Sequence, residues 1–131
     1  GTPMDFVNEK VIGVEIKADY PALNFGNVYD NCWVIDGAEP GQIQEAAYLC
    51  APESGRTLTM YTTQPGVQVY TGNWLSGCPA GKNGHTYEDY EGVAIECQNY
   101  PDAPNQPDYP SAVLRPGEVY EQAIIFAFGI R

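Results

Sequence analysis

Glu96 is the side chain best placed by the sequence to take part in chemistry, because it lies where two unlike segments meet. The run 91–98 alternates apolar and polar residues, which predicts a strand with Glu96 on its polar side. The next segment, 99–107, contains three prolines and cannot form a central strand. A carboxylate at such a strand end can act as a general base if it lines a cleft, although residue type alone favours a solvated face.

Asp30 is a second carboxylate with a candidate role, at the start of the strand-like run 29–36. A carboxylate can accept hydrogen bonds from two hydroxyl groups of a ligand at once. An Asp beside an Asn, here Asn31, also commonly forms an Asx turn. The pattern of residues alone favours that turn over ligand binding.

Gln68 lies on the polar side of a predicted strand, 67–71, whose other side carries Val67 and Val69. Its amide can donate to one hydroxyl group and accept from another, which suits a ligand with several hydroxyls. A cross-strand polar pair on an exposed face is an equally good interpretation of the same pattern.

His85 and Trp74 are two further residues of interest. His85 is the only histidine and lies in a loop, 76–90, where a lone histidine is more often solvated than catalytic. Trp74 follows the strand of Gln68, and an aromatic face can support a sugar ring. An isolated tryptophan is more often a core residue or a packing cap, and we expect one of these for Trp74.

The cysteines do not have the spacing of a metal site. Four are present, with no Cys-x-x-Cys pair and one histidine, so we expect no zinc or other metal. Cys32 and Cys97 lie in strand-like runs and are expected to be small buried apolar residues. Disulfides would require an oxidising compartment.

Length and composition predict one all-β domain over residues 1–131. The chain holds 11 Pro, 14 Gly and 10 Tyr, and no window shows a sustained apolar helical repeat. The segment 10–20 has mixed periodicity and is compatible with a strand or a helical turn. The remaining predicted strands are 45–51, 57–63, a short 111–114, and 118–129, whose apolar residues on both faces predict a position in the sheet interior.

The acidic balance narrows the choice of partners. A net charge of −11, from 17 acidic and 6 basic residues, disfavours nucleic acid and anionic membranes, which attract clustered Lys and Arg. A neutral sugar suits such a surface. No apolar run approaches a membrane span, and no signal peptide is visible at the start, so the expected location is cytoplasmic.

Three segments together carry a family resemblance. They are 62–73, Thr-Thr-Gln-Pro-Gly-Val-Gln-Val-Tyr-Thr-Gly-Asn; 96–107, Glu-Cys-Gln-Asn-Tyr-Pro-Asp-Ala-Pro-Asn-Gln-Pro; and 114–118, Leu-Arg-Pro-Gly-Glu. In this order the segments resemble signatures of the aldose 1-epimerases (galactose mutarotases). The resemblance covers nearly the whole chain but only the C-terminal part of that family's domain. It implies an antiparallel β-sandwich of the galactose mutarotase type, present here as a C-terminal fragment.

The resemblance also implies roles for the three polar residues. Glu96 matches the family's general base, Asp30 a residue that positions the sugar, and Gln68 a residue in the sugar cleft. Mutarotation opens and recloses the sugar ring by acid and base catalysis, with no cofactor. The family's acid histidine lies upstream of the matched part, and Asn31 replaces a usual histidine, so we expect the isolated chain to have little or no activity.

Two other functions fit the same residues. A non-catalytic carbohydrate-binding module would use the polar strand face without an acid, and a glycoside hydrolase would use Asp30 and Glu96 as its carboxylate pair. The small-molecule partner expected in all cases is a sugar, an aldose in the first. A fragment of a sandwich leaves strand edges uncovered, which predicts a homodimer, with strand exchange as one form, or association with the missing N-terminal part.

Overall fold

The computed structural model describes residues 1–131 and confirms the all-β prediction. It contains six strands, one short α-helix and three single-turn 3-10 helices. The strands are β1 (Asp30–Val34), β2 (Gln44–Ala51), β3 (Arg56–Thr62), β4 (Gly66–Tyr70), β5 (Ala94–Gln98) and β6 (Ile124–Ile130). The helix α1 is Pro21–Gly26, and the 3-10 turns are Ile12–Val14, Lys82–Gly84 and Ala103–Asn105.

The strands form two antiparallel sheets, with the orders β2-β3-β6 and β1-β4-β5. By their contacts the residues fall into two compact units, described separately below. The first unit is Gly1–Asn31 with Val69–Ile95, and the second is Cys32–Gln68 with Glu96–Arg131. The assignment of residues 1–131 to one domain stays a prediction. No helix is long and apolar enough to cross a membrane.

In the second unit, β2 and β3 form a hairpin closed by the predicted turn at 52–55. The backbone N–H groups of Ser54 and Gly55 donate to Ala51 O at 3.1 and 2.9 Å, and Gly55 has a φ of +69°, which favours glycine. Strand β2 carries an irregularity between Glu45 and Ala47, and the pairing is otherwise regular. Both strands lie within one or two residues of their predicted bounds.

The core of the second unit lies beside β3. Met60 and Thr62, on one side of β3, have no exposed surface, and Val67 of β4 and Cys97 of β5 are also buried. Burial raises the pKa of the Cys97 thiol, and a hydrogen bond with the Thr62 side chain opposes that rise. The predicted burial of Cys97 is confirmed, whereas Cys32 is only half-buried.

Strand β6 corrects a prediction. It starts at Ile124 rather than 118, and it is the terminal strand of its sheet rather than an interior one. All seven of its residues are exposed, so they are not core residues. Apolar residues on both faces are typical of a strand with a neighbour on each side. In this structure only β3 lies beside β6, so the sequence pattern predicted the wrong position.

The first unit has its own small core around Tyr29. Side chains in this core donate hydrogen bonds to backbone carbonyl groups. Asn73 Nδ2 donates to Gly26 O and to Tyr29 O at 3.0 Å each, and Thr71 Oγ1 donates to Tyr29 O at 3.1 Å. Leu23 of α1 is 2% exposed and completes this core. Buried polar groups that are all paired in this way fix a chain path firmly.

Three further sequence predictions differ from the structure or are resolved by it. Trp74 is 65% exposed rather than buried, so its indole is not a core residue. Residues 111–114 form no strand, since no neighbouring strand pairs with them. The undecided segment 10–20 contains the turn Ile12–Val14 and leads into α1, which starts at Pro21, a residue suited to the first helical position.

Candidate active site

Glu96 is in the middle of β5, and its side chain is exposed. Its neighbour Cys97 is buried on the opposite side of the strand, as alternation requires. The predicted pattern of β5 is therefore confirmed: one side packs into the core and the other carries the carboxylate. The question is which other side chains share that outer side.

The surroundings of Gly66 in β4 show which side chains lie on one side of this sheet. A Cβ added to Gly66 would lie 3.0 Å from Sγ of Cys32 and 3.0 Å from Cδ1 of Tyr100. The Cys32 thiol also forms hydrogen bonds with the Gln98 side chain and the Val67 backbone. Cys32 and Gln98 therefore lie on the side of the sheet to which a Gly66 side chain would point.

The alternation of side chains along a strand places the two predicted residues of the second unit, Gln68 and Glu96, on this same side of the sheet. Gln68 points the same way as Gly66 along β4, and Glu96 points the same way as Gln98 along β5. Strands β4 and β5 are neighbours in their sheet. The structure thus brings Gln68 and Glu96 to one face of adjacent strands, with the amide of Gln98 beside them; Gln68 is half-buried there. We call Gln68, Glu96 and Gln98 the polar face.

Cys32 lies half-buried at the margin of this face. Burial raises the pKa of its thiol, and the hydrogen bonds with Gln98 and Val67 only partly oppose that rise. A neutral thiol is a weak nucleophile, so Cys32 is suited to orient the Gln98 amide rather than to attack a ligand.

The loop after β5 contains two side-chain hydrogen bonds to one carboxylate and a contact between two aromatic rings. Asp102 has a φ of +62°, and its two carboxylate oxygens accept hydrogen bonds from Asn105 Nδ2 at 2.6 Å and Gln106 Nε2 at 2.8 Å. These bonds hold the pKa of Asp102 below its usual value. The Tyr100 ring, which lies against Gly66, also contacts Tyr109 edge-on, with the ring centroids 5.2 Å apart.

Asp30 lies in the first unit, as the opening residue of β1. Its side chain is exposed, and its backbone N–H donates to Asn31 Oδ1 at 3.2 Å. Asn31 Nδ2 in turn donates to Ala22 O of α1 at 3.3 Å, which ties the start of β1 to the helix. The local geometry presents the Asp30 carboxylate at the surface of its unit.

His85 also belongs to the first unit and is 57% exposed, as expected for a loop histidine. Its Nε2 lies 3.2 Å from Glu91 Oε2, and its ring contacts Tyr87 edge-on. The pKa of Glu91 is lowered, mainly by the backbone N–H of Glu88 and then by His85. No group of three or more His, Cys, Asp or Glu side chains is placed to hold a metal.

Gln98, Cys32 and Tyr100 are the members of this region that sequence reasoning did not select. Alternation along 94–98 already places Gln98 on the side of Glu96. The contacts of Cys32 and Tyr100 with β4 depend on strand order, which no local pattern contains.

A sequence model of the aldose 1-epimerase family matches residues 1–127. The chain belongs to the aldose 1-epimerase family. The matched range includes Asp30 and the whole polar face, and the resemblance drawn from the three sequence segments is thereby confirmed.

Individual relatives agree with this assignment. A galactose mutarotase from Homo sapiens is 44% identical over 104 residues, which are 79% of this chain and 30% of the relative. An aldose 1-epimerase from Escherichia coli (strain K12) is 34% identical over 130 residues, which are 98% of this chain and 37% of the relative.

The fold agrees as well. The crystal structure of a GalM/aldose epimerase homologue from C. elegans superimposes with a TM-score of 0.67 at 33% identity, over 77% of this chain and 30% of that one. The matched part of the chain spans 30% of the length of the human relative and 37% of the length of the Escherichia coli relative.

Proposed function

We propose that this chain supplies the general base and sugar-contacting residues of an aldose 1-epimerase that interconverts the α and β anomers of a free aldohexose. In that reaction a base takes the proton of the anomeric hydroxyl while an acid protonates the ring oxygen, and the C1–O5 bond breaks. Rotation about C1–C2 and reclosure then give the other anomer. Each proton moved in the first step returns in the second, so no cofactor is consumed.

The observation that carries the proposal is the shared face of Gln68, Glu96 and Gln98 on neighbouring strands. A carboxylate that shares a face with two amides can accept a proton while the amides donate to, and accept from, the hydroxyl groups of a ligand. Glu96 is exposed on that face, so a sugar has access to its oxygens.

Asp30 has a supporting role in this proposal. Its carboxylate is exposed at the start of β1. We infer that Asp30 accepts hydrogen bonds from sugar hydroxyls, as the family resemblance implies. Its Asn31 neighbour is hydrogen-bonded to α1, so the backbone that carries the carboxylate is held in place.

We infer that the acid is supplied from outside this chain. Its only histidine, His85, is exposed and hydrogen-bonded to Glu91 in a loop of the first unit. Curated relatives are about three times as long as the matched segment. We therefore expect the isolated chain to bind an aldose weakly and to accelerate mutarotation little or not at all.

Two measurements test this proposal. In ¹⁵N NMR titrations with galactose and glucose, backbone signals of residues 66–70 and 94–98 should shift, and Glu96→Gln should weaken the response. Glu53→Gln, in the exposed 52–55 turn, is the matched control. Polarimetry of freshly dissolved α-anomers should show the spontaneous rate only.

The outcomes separate the candidate functions. Acceleration abolished by Glu96→Gln would keep Glu96 as the base but contradict the expected inactivity. Acceleration unaffected by that change, or no sugar response at the polar face, would overturn the proposal. Binding that survives Glu96→Gln unchanged would favour the non-catalytic carbohydrate-binding module instead.

A further inference from the structure

Strand β6 is an exposed apolar strand at one edge of its sheet. All seven residues are exposed, and none is charged or a proline. Phe128 and Ile130 are 80% and 85% exposed, and a depression of about 330 Å³ opens beside them against Arg56 and Thr57 of β3. An uncharged terminal strand of this kind is a ready template for another strand.

The hydrogen bonds at the two ends of β6 show which backbone groups face outward. Thr63 N–H donates to Ala123 O at 3.1 Å, and Arg131 N–H donates to Gly55 O at 2.8 Å. Odd-numbered residues therefore bond to β3 across a regular antiparallel pair. The N–H and C=O groups of the even-numbered residues point to the open edge.

The sequence of β6 is nearly symmetric about Ala127. The order Ile-Ile-Phe-Ala-Phe-Gly-Ile places Phe126 and Phe128 on either side of the centre, and Ile124 and Ile130 at the ends. Two copies running antiparallel about this centre would set Phe126 opposite Phe128, and Ile124 opposite Ile130. These are the even-numbered residues, so the same register joins the outward-facing backbone groups in hydrogen-bonded pairs.

We propose that β6 pairs with β6 of a second copy about a two-fold axis at Ala127, giving one sheet of the order β2-β3-β6-β6-β3-β2. Side chains of directly opposed residues lie on the same side of a sheet, so the four even-numbered residues of each copy form one apolar stripe. The pairing is isologous and closes at two copies.

Charge favours this edge over the other edge of the same sheet. The chain carries a net charge of −11, so two copies repel each other, and the local repulsion is smallest where uncharged surfaces meet. The opposite edge strand, β2, carries Glu45, whereas β6 carries no charge. Pairing of β6 with β2 of another copy would leave an edge open at each end and produce polymers rather than dimers.

The mass of the 131-residue chain in solution is the first test. Light scattering and sedimentation over a range of concentrations should show a reversible approach to twice the chain mass of 14.3 kDa. A species that stays monomeric at high concentration would overturn the proposal, and it would assign the cover of β6 to the rest of the family's length. Open-ended polymers would also overturn it.

A pair of double variants tests the register. Phe126→Lys with Phe128→Lys places Lys opposite Lys, because 126 faces 128 across the axis. Phe126→Lys with Phe128→Glu places opposite charges there and should keep the dimer. We expect the first pair to weaken dimerisation roughly tenfold or more relative to the second. Val119→Lys, at an exposed apolar residue outside any strand, should leave the dimer unchanged.

A cross-link at the axis provides a readout that does not depend on dimer affinity. Ala127 is exposed and faces its own copy in the proposed pairing, at a spacing compatible with a disulfide. In a background of Cys78→Ser, which removes the exposed native thiol, Ala127→Cys should give a covalent dimer under mild oxidation. Ile125→Cys, which would face Gly129 instead, should cross-link much less.

Circular dichroism of every variant confirms folding before the masses are compared. A folded dimer that responds equally to both charge pairs, with Ile125→Cys cross-linking as readily as Ala127→Cys, would overturn the register.

Discussion

Strand β3 and its neighbour β6 belong to the same sheet, and their residues face the same way pair by pair. Met60 of β3 is directly opposite Phe126 of β6, yet Met60 has no exposed surface and Phe126 is 51% exposed. Both side chains are apolar, and the pairing between the two strands is regular. The difference lies in what surrounds them: β3 has a strand on each side and the buried Cys97 near Thr62, whereas β6 has β3 alone.

The difference between Met60 and Phe126 separates two properties, strand formation and burial, that an apolar sequence pattern predicts together. An apolar β-branched and aromatic run favours a strand because it fits a pleated surface. Burial requires atoms on the other side, and those atoms belong to residues far away in sequence or outside the chain. The relatives' greater length makes such a cover available in the family, and a second copy is the cover that we propose for this chain.

The largest expected effect follows directly from this pair of strands. Met60→Ala removes a fully buried side chain and should lower the free energy of unfolding by about 2–5 kcal/mol. Phe128→Ala removes a larger side chain that is 80% exposed, and should cost about 0.5 kcal/mol or less in the monomer. Urea unfolding at low protein concentration measures both. Equal losses for the two variants would show that β6 is covered in solution even at that dilution.

A second prediction concerns the contact that organises the polar face. Gly66→Ala places a Cβ 3.0 Å from both Cys32 Sγ and Tyr100 Cδ1, so one neighbour must move. We expect a loss of about 1–3 kcal/mol in unfolding free energy, as for other overpacked sites, with displaced NMR signals of Gln98 and the 99–109 loop.

The matched control is Gly92→Ala, because a Cβ at Gly92 would meet no atom within 4 Å. That change should be neutral, or stabilising by about 0.4–1 kcal/mol through the unfolded state. A Gly66→Ala variant as stable as the wild type would mean that Cys32 and Tyr100 are not packed closely on β4.

Much of the secondary structure follows from local sequence. The hairpin of β2 and β3, its turn at 52–55, and the alternation of β5 are all encoded within a few residues of each position. Glu96 and Cys97 face opposite ways because strand geometry has a period of two, whatever the rest of the fold does. These features were predictable for that reason.

The rest depends on residues that are distant in sequence. Trp74 and the side chains of β6 are apolar but exposed, since no covering element lies over them. The link between Cys32 and Gln98 requires knowledge that β1 and β5 lie on either side of β4. The roles of Asp30, Gln68 and Glu96 came from the family resemblance, because residue type and pattern alone left the solvated alternatives open.

The smallest expected effect concerns the loop after β5. The question is whether the Asp102 carboxylate stabilises the folded conformation of this loop. Hydrogen bonds from Asn105 and Gln106 lower the pKa of Asp102, so the folded loop favours the ionised form. A lowered pKa gives a stabilising contribution that is present above the pKa of the unfolded chain, about 3.9 for Asp, and is lost as the pH falls through the lower folded value. Protection of the backbone N–H groups of Ala103, Asn105 and Gln106 should therefore decrease on acidification.

Asp102→Asn removes that charge while keeping a residue type that tolerates the positive φ of +62°. It should make loop protection lower near neutral pH and independent of pH in the acid range, with little change in global unfolding because the group is exposed. Asp108→Asn, at another exposed carboxylate of the same loop, should retain the acid dependence. An acid dependence that persists in Asp102→Asn would assign that dependence to another carboxylate. Loop protection that is unchanged both by acid and by Asp102→Asn would instead assign the order of this loop to the packing of Tyr100 against Gly66 and Tyr109, so that packed rings, rather than a charge, hold the segment that follows the polar face.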